Sequence, residues 1–214
     1  MEAKKFTLKT LAISIAVVLA METVFRLTLA GQTVSPLLAL GITRCIEAVL
    51  LVFIANRFEK DSNAIGLSKS KLYPGLKRGL VWSAGFGIAA GILFAVLLAA
   101  GINPLKLVHT PLPSAPRQII LFYLVGGVIG PVWEEIFFRG FIFGFFRRWG
   151  LYTAILISTA LFVLPHYDGS HLPLTQIVGG IVFAIAYEKE KSLIVPVTIH
   201  CLGNIAIFSL TFLS

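Results

Sequence analysis

Charge is scarce in this sequence, and acidic charge is scarcer still: only 13% of its 214 residues are charged, ten Asp or Glu against eighteen Lys or Arg. A water-soluble core of this length would be wrapped in Lys, Glu and Asp, so the shortage excludes an ordinary soluble domain. Cysteine is nearly absent as well. Cys45 and Cys201 each fall in an apolar run, with no CxxC and no ligand spacing. Neither a disulfide framework nor a thiolate metal site is supported, and both read as small buried hydrophobes. The sequence also has no HExxH, no internal repeat and no low-complexity tract.

What it has in abundance is apolar length. Hydrophobic residues make up 57% of the chain and the mean hydropathy is +0.90. Runs approaching the roughly 20 residues needed to cross a bilayer stand at 10–30, 37–56, 79–100, 118–146, 151–166, 173–188 and 192–213. The expectation is an all-α, polytopic transmembrane bundle of about seven helices, with six to eight as the range, forming a single integral membrane domain over 1–214. The fifth and sixth runs are short, which predicts that one of them is tilted, broken or incompletely spanning.

The formal charge of +8 is explained by topology and needs no nucleic acid. Lys4, Lys5 and Lys9 precede the first run, and Arg57, Lys60, Lys69, Lys71, Lys77 and Arg78 follow the second. Arg147 and Arg148 follow the fourth, Lys189 and Lys191 the sixth. The alternate loops carry only Lys106 and Arg117. The positive-inside rule then places the N-terminus in the cytoplasm and, with seven spans, the C-terminus outside. The basic flank MEAKKFTLKT and the apolar LAISIAVVLA resemble a signal peptide, but no small-x-small cleavage site follows, so an uncleaved first span is expected. NRFEKDSNAIGLSKSKLYPGLKRG, the one long polar stretch, reads as a cytoplasmic loop, with an interfacial helix as the alternative. Gly87 and Gly91, Gly126 and Gly130, and Gly179 with Gly180 offer small faces for close helix approach. The location expected is a bacterial plasma membrane, with lipids as neighbours.

An ionisable group at the bilayer centre costs roughly 2.5–3.5 kcal/mol on insertion scales, so each one needs a reason to be there. Glu22 and Arg26 are spaced i,i+4 and Arg44 and Glu47 i,i+3, so each couple can neutralise itself along one helix face, or cross between the helices. PVWEEIFFRGF, residues 131–141, does not cancel. Glu135 and Arg139 are i,i+4 in the favourable order, which leaves Glu134 over, about 100° away around the axis.

A buried carboxylate without a partner in its own helix meets one from another helix or takes on proton chemistry. His166, at the end of STALFVLPH, and His200 and Asn204, in VTIHCLGN, are available. His200 and Asn204 share a face, and Phe162 lies one turn from His166. At ~1.5 Å per residue, Glu134 is about 20 Å from Arg147, His166 about 23 Å from Gly150, His200 about 14 Å and Asn204 about 20 Å from Lys191. All four therefore reach the middle to outer part of the bilayer, where three helices can build one polar pocket.

These residues resemble the CPBP family, also called the Abi or type II CAAX-prenyl-protease family of intramembrane endopeptidases. Its EExxxR, FxxxH and HxxxN/D motifs stand here, in order, as Glu134-Glu135-xxx-Arg139, Phe162-xxx-His166 and His200-xxx-Asn204. The motif-bearing catalytic part covers about 118–210; the first three runs match only in general character. The resemblance implies peptide-bond hydrolysis of a membrane-associated or C-terminally anchored substrate. In that reading Glu134 and His166 activate water, His200 and Asn204 hold the oxyanion, Glu135 and Arg139 orient them, and Phe162 packs beside His166.

No cofactor is favoured. The alternative is zinc on Glu134, His166 and His200, which would leave the base role to Glu135. Prenylation of the substrate does not follow from the resemblance. A proton-coupled transporter predicts internal symmetry, which the sequence lacks, and a non-catalytic scaffold or immunity protein would have no need of an intact site.

Overall fold

The computed structural model describes residues 6–30, 35–59, 62–108, 110–169 and 172–213. Lys4, Lys5, Lys60, positions 31–34 of the first loop, and Ser170 with His171 of the loop before the sixth run lie outside the described residues. Among the described residues there is no strand and there are eight helices: α1 (Leu8–Ala30), α2 (Pro36–Glu59), α3 (Leu72–Ala99), a single turn α4 (Leu105–Val108), α5 (Pro116–Trp149), α6 (Leu151–His166), α7 (Leu174–Glu190) and α8 (Ile194–Leu210).

Each expected apolar run is a helix, but they are not equivalent. Four have the length and hydropathy to cross a membrane: Leu8–Leu27, Pro36–Glu59, Lys69–Ala99 and Pro116–Trp149. The other three are shorter, α7 and α8 having 17 residues each, below the ~20 that a bilayer core requires. The chain is an integral membrane protein whose short helices gather around one long one.

Local chemistry sets the breaks. Pro36 and Pro116 open α2 and α5 at first-turn positions where a missing N–H costs nothing. Gly150, at φ 109°, separates α5 from α6, a backbone conformation that glycine adopts without a steric penalty. Lys191, left-handed at φ 50°, ends α7.

The core sits on the second half of α5. Ile136, Phe138, Phe141, Ile142 and Phe145 pack with Phe6, Leu51, Ile54, Ile65, Phe162 and Leu193, so this helix is covered nearly all round, as a central helix must be. Ile65 is completely buried and faces Gly140. The long polar stretch contains two short turns, Ser62–Ile65, which packs Ile65 into the core, and Lys69–Lys71, which buries no residue, and it then enters α3 seven residues before the expected start.

Helix α3 packs against α8 through Gly75 and Gly79, where a Cβ at position 79 would lie 2.6 Å from Thr198 Cβ. Gly180 is similarly close to Thr159. Gly87 and Gly91, expected to be small packing faces, meet nothing within 4 Å. The cysteines differ from expectation too: Cys45 is exposed and Cys201 partly so, since lipid-facing helix surfaces are apolar and place no demand for burial on a thiol.

Several of the basic positions assigned to one side do lie at one end of the bundle, in ion pairs. Arg147 grips Glu188 with two bonds of 3.0 and 2.9 Å, Lys191 joins Glu188 at 2.7 Å, and Arg78 pairs with Glu190 at 2.5 Å. Trp82 Nε1 donates to the same Glu190, and Lys71 Nζ donates to the Lys191 carbonyl. These contacts tie α3, α5 and α7 together at their ends.

Candidate active site

Helix α5 is not α-helical throughout. Val125–Ile129 and Glu135–Phe143 are π-helical, and Gly130–Glu134 between them is α. Glu134 is the last residue of the α segment and Glu135 the first of the wider turn. π turns alter the angular spacing of side chains and recur at functional sites. Here the junction falls between the two acids and separates them: Glu135 is fully buried, whereas the Glu134 side chain is 19% exposed.

The buried acid is held from two sides. Glu135 Oε1 accepts from Arg139 Nη1 and from His200 Nδ1, each at 2.8 Å. Arg139, itself fully buried, donates its Nη2 to the Gly180 carbonyl at 3.2 Å, with the guanidinium 4.6 Å from the Phe162 ring centroid and 5.2 Å from that of Phe183. One guanidinium thus ties α5 to α7 and lies between two aromatic faces, a use that a lysine could not replace. His200 stacks on Phe183 at 4.6 Å and meets the edge of Phe162. Because Glu135 takes Nδ1, the other nitrogen of His200 is the one turned to Glu134, and Nε2 stands 3.5 Å from Glu134 Oε2. That exceeds an ordinary hydrogen bond.

His166 ends the short 3-10 turn Leu164–His166 that closes α6. Its Nδ1 lies 2.8 Å from the Phe162 carbonyl. A carbonyl only accepts, so Nδ1 carries a proton and Nε2 is left for other work. Phe162 therefore contributes its backbone as well as its ring, 5.0 Å from the imidazole.

Asn204 is placed by a backbone defect. In the first π segment the Gly130 N–H reaches the Val125 carbonyl, and the next such donor in register, for Gly126, would be residue 131. That residue is Pro131 and has no N–H. Asn204 Nδ2 supplies the bond instead, donating to the Gly126 carbonyl at 2.8 Å. One of its two amide protons is thereby committed.

A cavity of about 600 Å³ opens on Glu134 and His166, with Trp133, Phe138 and Pro165 around them. His200 and Asn204 are not among its lining residues; His200 approaches Glu134 from behind. The cavity is also lined by Leu19, Glu22, Thr23 and Arg26 of α1 and by Arg44 of α2. The polar residues of the first two helices therefore belong to the site region, which their spacing alone did not indicate. Their pairing crosses helices: Arg44 Nη1 bonds Glu22 at 2.6 Å and Glu47 at 2.5 Å, and its guanidinium lies 3.9 Å from the Trp133 ring centroid. The i,i+4 couple of Glu22 with Arg26 does not form among the described residues.

Among the described residues no three of His, Cys, Asp and Glu converge as a metal-binding set. Glu134 and His200 are close, and His166 does not join them in one donor cluster.

Comparison with known proteins agrees with the motifs. The chain is 36% identical over 175 residues, 75% of this chain and 65% of the relative, to the Bacillus subtilis (strain 168) protein named "Putative membrane peptidase YdiL". It is 35% identical over 103 residues, 44% of this chain and 41% of the relative, to the "Membrane-embedded CAAX protease MroQ" of Staphylococcus aureus (strain USA300). The chain thus spans less than two thirds of the length of either relative. No solved structure matches it. The segment 116–206, which holds all three motifs, matches the family described as Rce1-like, type II CAAX prenyl endopeptidase.

Proposed function

We propose that the protein is an intramembrane endopeptidase that hydrolyses a peptide bond of a membrane-associated substrate, with Glu134 as general base. A membrane peptidase is what the family and the relatives' names support; the residue roles are our own reading. One observation carries it: of two adjacent acids, Glu135 is sealed and bonded to Arg139 and His200, while Glu134 opens to the cavity beside His166.

In this mechanism a water held by Glu134 and His166 Nε2 gives its proton to Glu134 as its oxygen bonds to the scissile carbonyl carbon. The developing oxyanion accepts from the uncommitted amide proton of Asn204 and from His200 Nε2–H, a donor that requires His200 to act as the imidazolium, since its Nδ1–H is given to Glu135. The C–N bond then breaks, and Glu134 passes the proton to the leaving nitrogen. Glu135 and Arg139 keep the His200 ring oriented, and Phe162 fixes His166. The motif-bearing part, about 118–210, forms the catalytic unit of one membrane domain. The N-terminus faces the cytoplasm of a bacterial plasma membrane, as the basic loops direct.

Glu134→Gln keeps the size and removes the base. It is expected to abolish cleavage of a natural substrate while the protein stays inserted and folded, with substrates found by comparing membrane proteomes of cells carrying each form. Normal cleavage by Glu134→Gln refutes the assignment. For the metal-dependent alternative, purified protein is treated with chelator and its metal content measured. Full loss of activity, restored by zinc, would replace the glutamic mechanism.

A further inference from the structure

Five charged or ionisable side chains line the cavity: Glu22, Arg26, Arg44, Glu134 and His166. Four are occupied. Arg44 is held by Glu22 and Glu47 over Trp133, Glu134 faces His200, and His166 bonds the Phe162 carbonyl. Arg26 is the exception. It is exposed, and among the described residues it has no ion-pair partner, because the acid one turn before it, Glu22, is taken by Arg44 at 2.6 Å. Arg26 stands at the end of the apolar span Leu8–Leu27, where a long cationic side chain reaches water, so its guanidinium is available to a ligand in the cavity it lines.

We propose that Arg26 is a substrate-binding residue that takes a carboxylate of the peptide, either its chain terminus or an Asp or Glu side chain, beyond the scissile bond. This rests on the peptidase reading and extends it to a specificity residue outside the matched segment 116–206. The planar fork of arginine suits a carboxylate. Arg26 lines the same cavity as Glu134 and His166 but from another helix, so a peptide that meets both is held in one direction. Glu22 and Glu134 repel a second carboxylate elsewhere on the lining, so Arg26, about 6 Å along α1 from Glu22, is where one settles. The volume of about 600 Å³ is in the range that holds drug-sized ligands, hence a short peptide segment.

The test uses the full chain in phosphatidylcholine nanodiscs and three fluorogenic peptides of one sequence, each anchored by an N-terminal palmitoyl group. One ends in a free carboxylate, one in an amide, and one in an amide with Asp as its last residue. Affinities are read by fluorescence anisotropy on the Glu134→Gln protein, with and without Arg26→Gln or Arg26→Lys, each variant being checked for folding by its thermal melt. An acid-bearing peptide is expected to bind about tenfold or more tightly than the neutral amide, the scale of a charge-assisted hydrogen bond. Arg26→Gln erases that preference, and Arg26→Lys retains part of it. Which acid-bearing peptide wins distinguishes terminus from side chain.

Three peptides that bind alike or not at all, or a preference that survives Arg26→Gln, overturn the proposal. So does an effect of Arg26→Gln that appears only as a changed response to added phosphatidylglycerol, which would make Arg26 a headgroup anchor. Cleavage by the wild-type chain is scored separately. A carboxylate preference without hydrolysis of any peptide leaves Arg26 standing and removes the hydrolytic reading.

Discussion

Replacing Arg139 with Met is the sharpest probe of how the site is held. The side chain is fully buried, bonds Glu135 at 2.8 Å and the Gly180 carbonyl at 3.2 Å, and contacts Phe162 and Phe183. Met preserves much of the volume and none of the donors. The loss leaves Glu135, also fully buried, with His200 as its one remaining partner, and it strips the Gly180 carbonyl. Breaking a buried pair from one side costs about 3–5 kcal/mol because a charge is left without compensation. For a chain of this size that is a fall of about 6–20 °C in melting temperature, at 2–4 °C per kcal/mol. The assay is thermal unfolding in detergent micelles followed by tryptophan fluorescence. The double variant Glu135→Gln with Arg139→Met removes both charges and is expected to melt above the single variant. Activity behaves differently: the double variant does not recover it, because with Glu135→Gln His200 loses the carboxylate that sets its ring. An Arg139→Met protein that melts within about 1 kcal/mol of wild type, below the usual effect of a core substitution, refutes the brace. So does a double variant less stable than the single.

Asn204→Leu orphans the Gly126 carbonyl at a cost of about 1–3 kcal/mol. Adding Pro131→Ala returns an N–H at that register, so the double variant should regain stability in the same melt without regaining cleavage. Arg44→Met leaves Glu22 and the buried Glu47 facing each other, and it should lower the yield of folded, monodisperse protein, with Arg44→Lys intermediate; unchanged yield and melt would show that the α1–α2 acids need no counter-charge. Gly79→Val forces a side chain into a place where even an added Cβ would lie 2.6 Å from Thr198 Cβ. It should destabilise the α3–α8 contact by about 1–3 kcal/mol, partly relieved by Thr198→Ala, whereas Gly87→Val, with nothing within 4 Å, should melt like wild type.

What the sequence makes legible, and what it hides, follow from the range of the interaction involved. Helix content is set by apolar run length, so every run is found as a helix. Glu135 with Arg139 is a contact within four residues, and its i,i+4 spacing suffices to find it. Spacing fails where another element competes for the same group. Glu22 has Arg26 one turn away and still bonds Arg44, because Arg44 also has Glu47 to satisfy and sits on Trp133. The glycines show the same limit: Gly79 and Gly87 are indistinguishable by residue type, and only the placement of Thr198 makes one a contact and leaves the other open. The two π segments carry no period that a scan for 3.6 residues per turn can register. Yet Pro131 left a trace in the sequence, since a proline within a long apolar run must strand a carbonyl somewhere, and Asn204 is the side chain that answers it.

The same reasoning explains why so hydrophobic a chain keeps its few acids close to cations. Of the three acids buried within the spans among the described residues, two have a cation one turn away on the same helix, Glu135 with Arg139 and Glu47 with Arg44, while Glu59 accepts from Thr10 and the Thr7 N–H. Such pairs give little net stability, because desolvation offsets most of the Coulombic gain, but they are costly to break and so fix helix register. Register is what a site assembled from three helices needs, for a group displaced by one helical turn moves by about 5.4 Å. Glu134 can then remain without a guanidinium of its own because its surroundings are held by others: Arg139 and Glu135 position His200 behind it, and the Phe162 carbonyl positions His166 beside it. On this view the charges around the cavity are divided between those that fix geometry and the two we assign to the substrate, Glu134 as base and Arg26 as carboxylate site, which line one cavity.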